Sequence, residues 1–307
     1  MSNNHLVGID ANTYANIFTF LGFPLSRELN DSVDAAILGV PYDLATTGRS
    51  GCRYGPNGIR QASAQLRWEE KRWPWTFNLR EHLNVIDYGD LCYDDGDSLD
   101  MVKQLEEEAL HILAAGKKLL TFGGDHFITL PLLRAASQIH GKLALIHFDA
   151  HTDTEQSDLA YNHGSMFYHA PNEELIDPKH TIQIGIRTEY DPSNHAFQVI
   201  DGSQANNLSA DEIAKAIRER VGDLPVYLSF DIDCLDPAFA PGTGTPVSGG
   251  ITSDKALQII RQLTGMNIVA MDMMEVAPCY DHAETTSLAA ATLSLEMLHL
   301  LAETAVK

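Results

Sequence analysis

An α/β fold is predicted for the 307-residue chain, with a mainly parallel sheet of about eight strands, helices on both faces and a single domain spanning residues 1–307. Three observations predict it. Eight short apolar runs of strand character recur along the chain, most gaps between them carry helix-period segments, and no repeat, low-complexity stretch or linker divides the sequence. Strands that alternate with helices belong to parallel sheets covered on both faces. A closed eightfold barrel is the competing architecture. In either case function belongs at the carboxyl ends of the strands.

The strand runs, in order, are DAAILGV (34–40), LNVIDYG (83–89), KLLTFGG (118–124), KLALIHFD (142–149), TIQIGI (181–186), FQVID (197–201), PVYLSFDID (225–233) and NIVAMDMMEV (267–276). Helix periodicity is clearest in SLDMVKQLEEEALHILAAG (98–116), SADEIAKAIRERVG (209–222) and TSDKALQIIRQLTG (252–265). The last two open on Ser209 and Thr252, cap residues followed by acids. Gly265 then reads as a helix stop. SLAAATLSLEMLHLLAETAV (287–306) is apolar but carries Glu296, His299 and Glu303, which suits a packed core helix rather than a bilayer helix. Two segments fall outside the alternation. RWEEKRWPWTFN (67–78) holds all three Trp and suits a packed flap or a subunit interface. Residues 87–108, with nine acids and one Lys, read as a solvated loop and helix start that lacks the calcium-loop pattern.

Composition narrows the partners. Asp plus Glu is 42 and Lys plus Arg is 21, a net charge of −21. An acidic chain is a poor match for nucleic acid or anionic lipid, so neither nucleic acid nor membrane is expected as a partner. No run of about 18 apolar residues is present to span a bilayer. The N-terminus shows no basic segment followed by an apolar stretch, so no secretory signal is expected. Cys52, Cys92, Cys234 and Cys279 form no CxxC pair. They suggest neither a zinc ribbon nor a disulfide framework, and a reducing cytoplasm is the natural setting.

Three segments carry chemistry, because acids and histidines stand where an apolar strand should finish. In HFDAHTDT (147–154), period-two spacing points Asp149, His151 and Asp153 to one face. Burying three such groups is costly unless something binds them. In SFDIDCLDP (229–237), Asp231 and Asp233 repeat the geometry, and adjacent carboxylates repel unless a cation or proton lies between them. FGGDHF (122–127) puts Asp125 and His126 at a turn from strand to helix. Two imidazoles (His126, His151) and four carboxylates (Asp149, Asp153, Asp231, Asp233) suit Mn²⁺ or a similar divalent ion better than zinc. Six ligands exceed the need of one catalytic ion, whereas two ions sharing carboxylates use them all. His147, Asp125 and Asp236 read as supporting or turn residues.

GGDHF, DAHTD and SFDIDCLDPAFAPGTGTP resemble the signature motifs of the ureohydrolases, the arginase and agmatinase superfamily. The resemblance covers nearly the whole chain, including GVPYDLATTGRSGCRYGPNGIR (39–60) and MDMMEVAP (271–278), and is closest to bacterial agmatinases through FGGDHFITLPLLRA and KRWPWTFN. It implies an eight-stranded parallel sheet of the arginase and deacetylase type and two Mn²⁺ per subunit. One ion would take His126, Asp149, Asp153 and Asp231. The other would take His151, Asp149, Asp231 and Asp233. It implies that a hydroxide held between the ions attacks a guanidinium carbon, releasing urea and a primary amine, with Asp153 moving the proton. It further implies that Glu275 holds the guanidinium, that His163 lies near the substrate and relays protons, and that Thr245 offers a backbone carbonyl. Family members are commonly trimers or hexamers, so a homo-oligomer is expected.

The loop TEQSDLAYN (154–162) bears on which guanidino compound is bound. It carries Glu155 and Asp158 and no Lys or Arg. An acidic loop repels the carboxylate of arginine or guanidinobutyrate and attracts the free ammonium of agmatine. Agmatine is therefore the expected substrate, with guanidinobutyrase and arginase activity as alternatives. A non-catalytic regulatory homologue is disfavoured because every ligand position and Glu275 are filled. A single-zinc deacetylase is disfavoured by the second histidine and the full set of carboxylates.

Overall fold

Apolar runs in a parallel sheet must be covered on both faces, and the structure meets that demand. The computed structural model describes residues 18–157 and 161–306. Eight strands form one sheet: β1 (Ala35–Gly39), β2 (Val85–Asp90), β3 (Lys118–Phe122), β4 (Leu143–Phe148), β5 (Ile176–Ile186), β6 (Gln198–Asp201), β7 (Val226–Asp231) and β8 (Ile268–Met274). Their order is β2-β1-β3-β8-β7-β4-β5-β6 and every pairing is parallel. The sheet is open, with β2 and β6 as edges, so the barrel alternative is excluded. Interior strands β1, β4, β7 and β8 are buried along their whole length, whereas the edges are partly exposed. This is why the interior runs are continuously apolar in sequence.

The helices are α1 (Gly55–Ser63), α2 (Leu79–His82), α3 (Ser98–Ala114), α4 (Thr129–His140), α5 (Met166–Asn172), α6 (Gly202–Asn207), α7 (Ala210–Val221), α8 (Ser253–Arg261) and α9 (Thr285–Val306). Alternate strand residues feed two cores. Ile37, Leu120, Ile146 and Leu228 pack with α1, α7, α8 and α9 through residues such as Ile59, Ile213, Ile259 and Leu298. Leu38, Leu119, Leu145 and Tyr227 pack with α3, α4 and α5 through Met101, Leu133 and Phe167. No helix among the described residues is long and apolar enough to cross a membrane.

The expected caps form. Ser209 and Glu212 make a reciprocal capping box at α7, and the Thr252 side chain accepts the Lys255 N–H at α8. Three local expectations change. The helix stop foreseen at Gly265 comes earlier, since α8 ends at Arg261; Gly265, with φ +83°, instead turns the chain toward β8. Asp87 does not belong to a solvated loop. It is fully buried in β2, where Arg60 donates to both of its oxygens at 2.9 Å and the Phe20 N–H donates at 2.8 Å. The Trp-rich segment is mixed, with Trp75 packed on α9 while Trp68 (69%) and Trp73 (78%) are exposed.

Candidate metal centre

The four central strands β3, β8, β7 and β4 are neighbours, and the chain at or just past the carboxyl end of each supplies a residue of the site. After β3 the chain turns through Gly123 and Gly124 to Asp125 and His126. A Cβ on Gly124 would lie 2.0 Å from the Tyr42 carbonyl oxygen, so only glycine fits there. Strand β4 stops at Phe148, before the three candidate ligands that follow it. Asp149, His151 and Asp153 therefore do not meet through strand alternation. They meet because the loop folds back, with Asp153 at φ +52° and its carbonyl held by the Phe167 N–H at 2.9 Å. Asp231 is the last residue of β7, and Asp233 lies in a 3₁₀ turn, Ile232–Cys234, whose first N–H bond to a side chain runs from Asp233 to Asp231 at 2.8 Å.

The convergence is tight. His126 Nδ1 lies 3.1 Å from Asp149 Oδ2, 3.2 Å from Asp153 Oδ2 and 3.1 Å from Asp231 Oδ2. His151 Nδ1 lies 3.2 Å from Asp149 Oδ1 and 3.1 Å from Asp233 Oδ2. Asp149 thus turns one oxygen to each histidine. Asp231 turns Oδ2 toward His126, while its Oδ1 accepts the Asp233 N–H. Burial, with the charges of Asp233 and Asp149, holds the Asp231 carboxyl well above the usual range. Burial and the charge of Asp149 carry Asp153 up to about 7. Such shifts mark a cluster of negative charge short of cations.

Supporting groups fix each imidazole. His126 Nε2 lies 2.7 Å from Ser229 Oγ, which donates to Asp272 Oδ1 at 2.7 Å. Because the Ser229 proton goes to Asp272, Ser229 Oγ accepts a hydrogen bond from His126 Nε2, and Nδ1 is the ring atom turned to the carboxylates. His147 sits behind the cluster. The Gln183 amide donates to its Nδ1 at 2.9 Å, and its Nε2–H donates to Asp149 Oδ2 at 2.8 Å. Both ring nitrogens are used, and burial lowers its pKa to about 4, so a neutral His147 orients Asp149. Asp125 anchors the N–H of Ala45 through Oδ2 at 2.8 Å, and Asp236 caps a turn by accepting from Ala238, Gly249 and Gly250.

A cavity of about 320 Å³ opens over the cluster, lined among others by His126, Asp153, Asp231, His163, Thr245 and Glu275. Glu275 follows β8 at φ +61°. Its Oε1 accepts the His126 N–H at 3.0 Å and the His163 Nδ1–H at 2.8 Å, while its buried Oε2 has no partner. Thr245 Oγ1 lies 3.4 Å from Asp233 Oδ2. Glu155 lines the rim, and Asp158 lies outside the described residues. Thr47, Asn162, Thr188 and Glu189 also line the cavity and were not foreseen. Thr47 lies inside the run 39–60 and Asn162 closes the loop 154–162, but residue type does not single out any of the four, and only their nearness in space marks them. Size alone does not single out this cavity. Another of about 330 Å³, beside Leu21, Arg67, Arg80 and His299, has no acid–imidazole cluster.

Fold and site together define an α/β protein with the ligand groups to hold divalent cations at the carboxyl edge of its sheet. The chain belongs to the arginase family, whose model matches residues 33–299. It is 58% identical over 294 residues to the agmatinase of Serratia proteamaculans (strain 568), covering 95% of this chain and 96% of that one. It is 56% identical, at the same coverage, to the agmatinase of Proteus mirabilis. Among solved structures it is similar to a hypothetical agmatinase from Burkholderia thailandensis, with 46% identity, a TM-score of 0.93 and coverage of 96% and 94%. It is also similar to the proclavaminate amidino hydrolase of Streptomyces clavuligerus, with 37% identity, a TM-score of 0.90 and coverage of 95% and 99%.

Proposed function

We propose that the protein hydrolyses agmatine to putrescine and urea. One observation carries the reading at the level of chemistry: Glu275 lines the cavity beside the acid–imidazole cluster, and its Oε2 is buried and unpartnered. A buried carboxylate oxygen without a donor is costly, and a guanidinium supplies a planar fork of N–H donors that satisfies it. The high identity to named agmatinases supports agmatine as the particular substrate. So does the lining of the cavity, which includes Glu155 and Glu189 and, among the described residues, no Lys or Arg. No lysine or arginine there pairs with the carboxylate of arginine or guanidinobutyrate.

The donor set fits two manganese ions. Four buried carboxylates crowd the Nδ1 atoms of two imidazoles, and oxygen-rich ligands with some imidazole suit a divalent ion of intermediate hardness. His126, Asp149, Asp153 and Asp231 would hold one, and His151, Asp149, Asp231 and Asp233 the other. When bound, such ions make a water a strong nucleophile near neutral pH. The side chains supply the rest. Glu275 holds the guanidinium, with the carbonyl of Thr245 as a further contact. Asp153 takes the proton of the attacking water and passes it toward the leaving amine, and His163, hydrogen-bonded to Glu275, supplies protons beside it. Residues 1–307 form a single ureohydrolase domain in this reading, cytoplasmic and assembled as a homo-oligomer, a trimer or a hexamer. The test is urea release from agmatine by manganese-loaded protein, with metal analysis of the same sample. About two ions per chain and chelator-sensitive release are expected. One tightly held zinc, or no urea, would defeat the proposal.

A further inference from the structure

The loop over residues 41–51 belongs to no helix or strand, yet it is tied down at several points. Asp125 Oδ2 accepts the Ala45 N–H at 2.8 Å, Asp43 Oδ2 accepts the Gly51 N–H at 2.7 Å, and Arg49 Nη2 donates to the Thr243 carbonyl at 2.6 Å. The His163 N–H also donates to the Ala45 carbonyl, at 3.3 Å. Between these ties stands Thr47, exposed on the cavity rim with its polar atoms turned inward. Its N–H donates to His163 Nε2 at 3.0 Å, and its Oγ1 lies 2.7 Å from the same nitrogen.

The two contacts are not equivalent. A backbone N–H can only donate, so it requires a lone pair on Nε2 and suits the neutral ring. A hydroxyl donates or accepts, so Oγ1 is the one Thr47 atom that can receive a proton carried on Nε2. On the other side of the ring, Nδ1–H donates to Glu275 Oε1 at 2.8 Å in either charge state. We infer that Thr47 is a positioning residue for His163, its hydroxyl accepting the Nε2–H of the charged ring and so keeping an imidazolium available beside Glu275 without moving the ring.

The charged groups that face His163 are Glu275 after β8, Asp153 in the loop after β4 and Asp125 after β3. Burial disfavours the imidazolium, but the hydrogen bond and charge of Glu275, with Asp153 and Asp125 behind it, carry the pKa up to about 9. Those acids act through Nδ1 and through space. Without the hydroxyl, Nε2 faces only the Thr47 N–H, a like dipole that opposes a second proton. Thr47→Val therefore favours the neutral ring, while Thr47→Ser keeps the hydroxyl. Because Thr47 is exposed, neither change opens a cavity in the core.

The role of Thr47 in turnover rests on the agmatine hydrolysis proposed above, whereas its hold on the ring does not. Two readouts separate them. Hydrogen–deuterium exchange at the imidazole C2 of His163, followed by mass spectrometry on the manganese-loaded protein, reports the midpoint of ring protonation without any substrate. Thr47→Val should lower that midpoint by about one pH unit, a tenfold loss of proton affinity, and Thr47→Ser should hold it near the wild-type value. The alkaline limb of kcat for urea release should move in the same direction in Thr47→Val, and not when the change is made in a His163→Asn background. An unchanged midpoint in Thr47→Val overturns the inference, and so does an equal fall in both variants, which would assign the effect to loop packing. Absence of urea release by the wild-type protein would count against the agmatine reading and leave the exchange result to decide the role of Thr47.

Discussion

Two buried glutamates, each beside a histidine, occupy regions of opposite character. On α9, Glu296 is fully neutralised: Arg261 Nη2 donates to Oε1 at 2.6 Å and Trp75 Nε1–H donates to Oε2 at 2.5 Å. Its neighbour His299 donates Nδ1–H to the Leu295 carbonyl at 2.9 Å and stacks on Trp75, with ring centroids 4.9 Å apart. Past the end of β8, Glu275 has no Lys or Arg partner among the described residues, only the His163 imidazole on one side. One of its oxygens takes two donors and the other takes none. Burial and a nearby imidazole are common to both places, so neither marks function. What differs is whether the carboxylate is already satisfied. The Trp-rich segment completes the first site and closes it, while the second is left open to a guanidinium.

That contrast is broken most directly by removing the charge at each position. Glu275→Gln should lower kcat/KM for agmatine on the order of 10²–10³-fold, the consequence of losing about 2–5 kcal/mol from a desolvated charge pair, with an unfolding midpoint close to wild type. Glu296→Ala should do the reverse. It leaves the Arg261 guanidinium, largely buried, without its partner, so thermal or urea unfolding should show a loss of about 3–5 kcal/mol while turnover per folded molecule holds. Comparable loss of turnover in both variants would erase the distinction.

A smaller effect tests the support behind the cluster. Ser229 joins His126 to Asp272, which also accepts from Thr129 Oγ1 at 2.8 Å and Tyr227 Oη at 2.7 Å. Ser229→Ala should weaken manganese binding by about 10–100-fold in a competition titration, since the ring loses the partner that sets its tautomer. The smallest effect concerns pH. Burial holds His299 below its ordinary pKa, so as pH falls through the ordinary histidine range the unfolded chain takes up more proton at this position than the folded chain. The contribution of His299 to stability should therefore fall with acidification, and His299→Gln should make stability less sensitive to the change from pH 7.5 to 5.5, read from urea unfolding at the two pH values.

Much of this was legible in the residues. Eight apolar runs located the eight strands, and the placing of acids and histidines at three of their ends located the cluster. Asp153 reaches the cluster from a left-handed backbone in a loop, not from a strand face, and period-two spacing coincides with that outcome without causing it. Thr47 and Glu189 were not legible, because a lone Thr or Glu in a loop carries no signal until the fold brings it to the cavity. Asp87 misled for a related reason. Its local run is acidic, and the cation that buries it, Arg60, is 27 residues away in α1.

The central claim is tested most directly by urea release from agmatine, arginine and 4-guanidinobutyrate on one manganese-loaded preparation. An unpartnered Glu275 oxygen, carboxylates at the rim and no Lys or Arg among the described lining residues predict kcat/KM for agmatine on the order of 10²-fold or more above either anion-bearing compound, the penalty of placing a carboxylate among carboxylates. A preference for arginine or guanidinobutyrate would contradict the account.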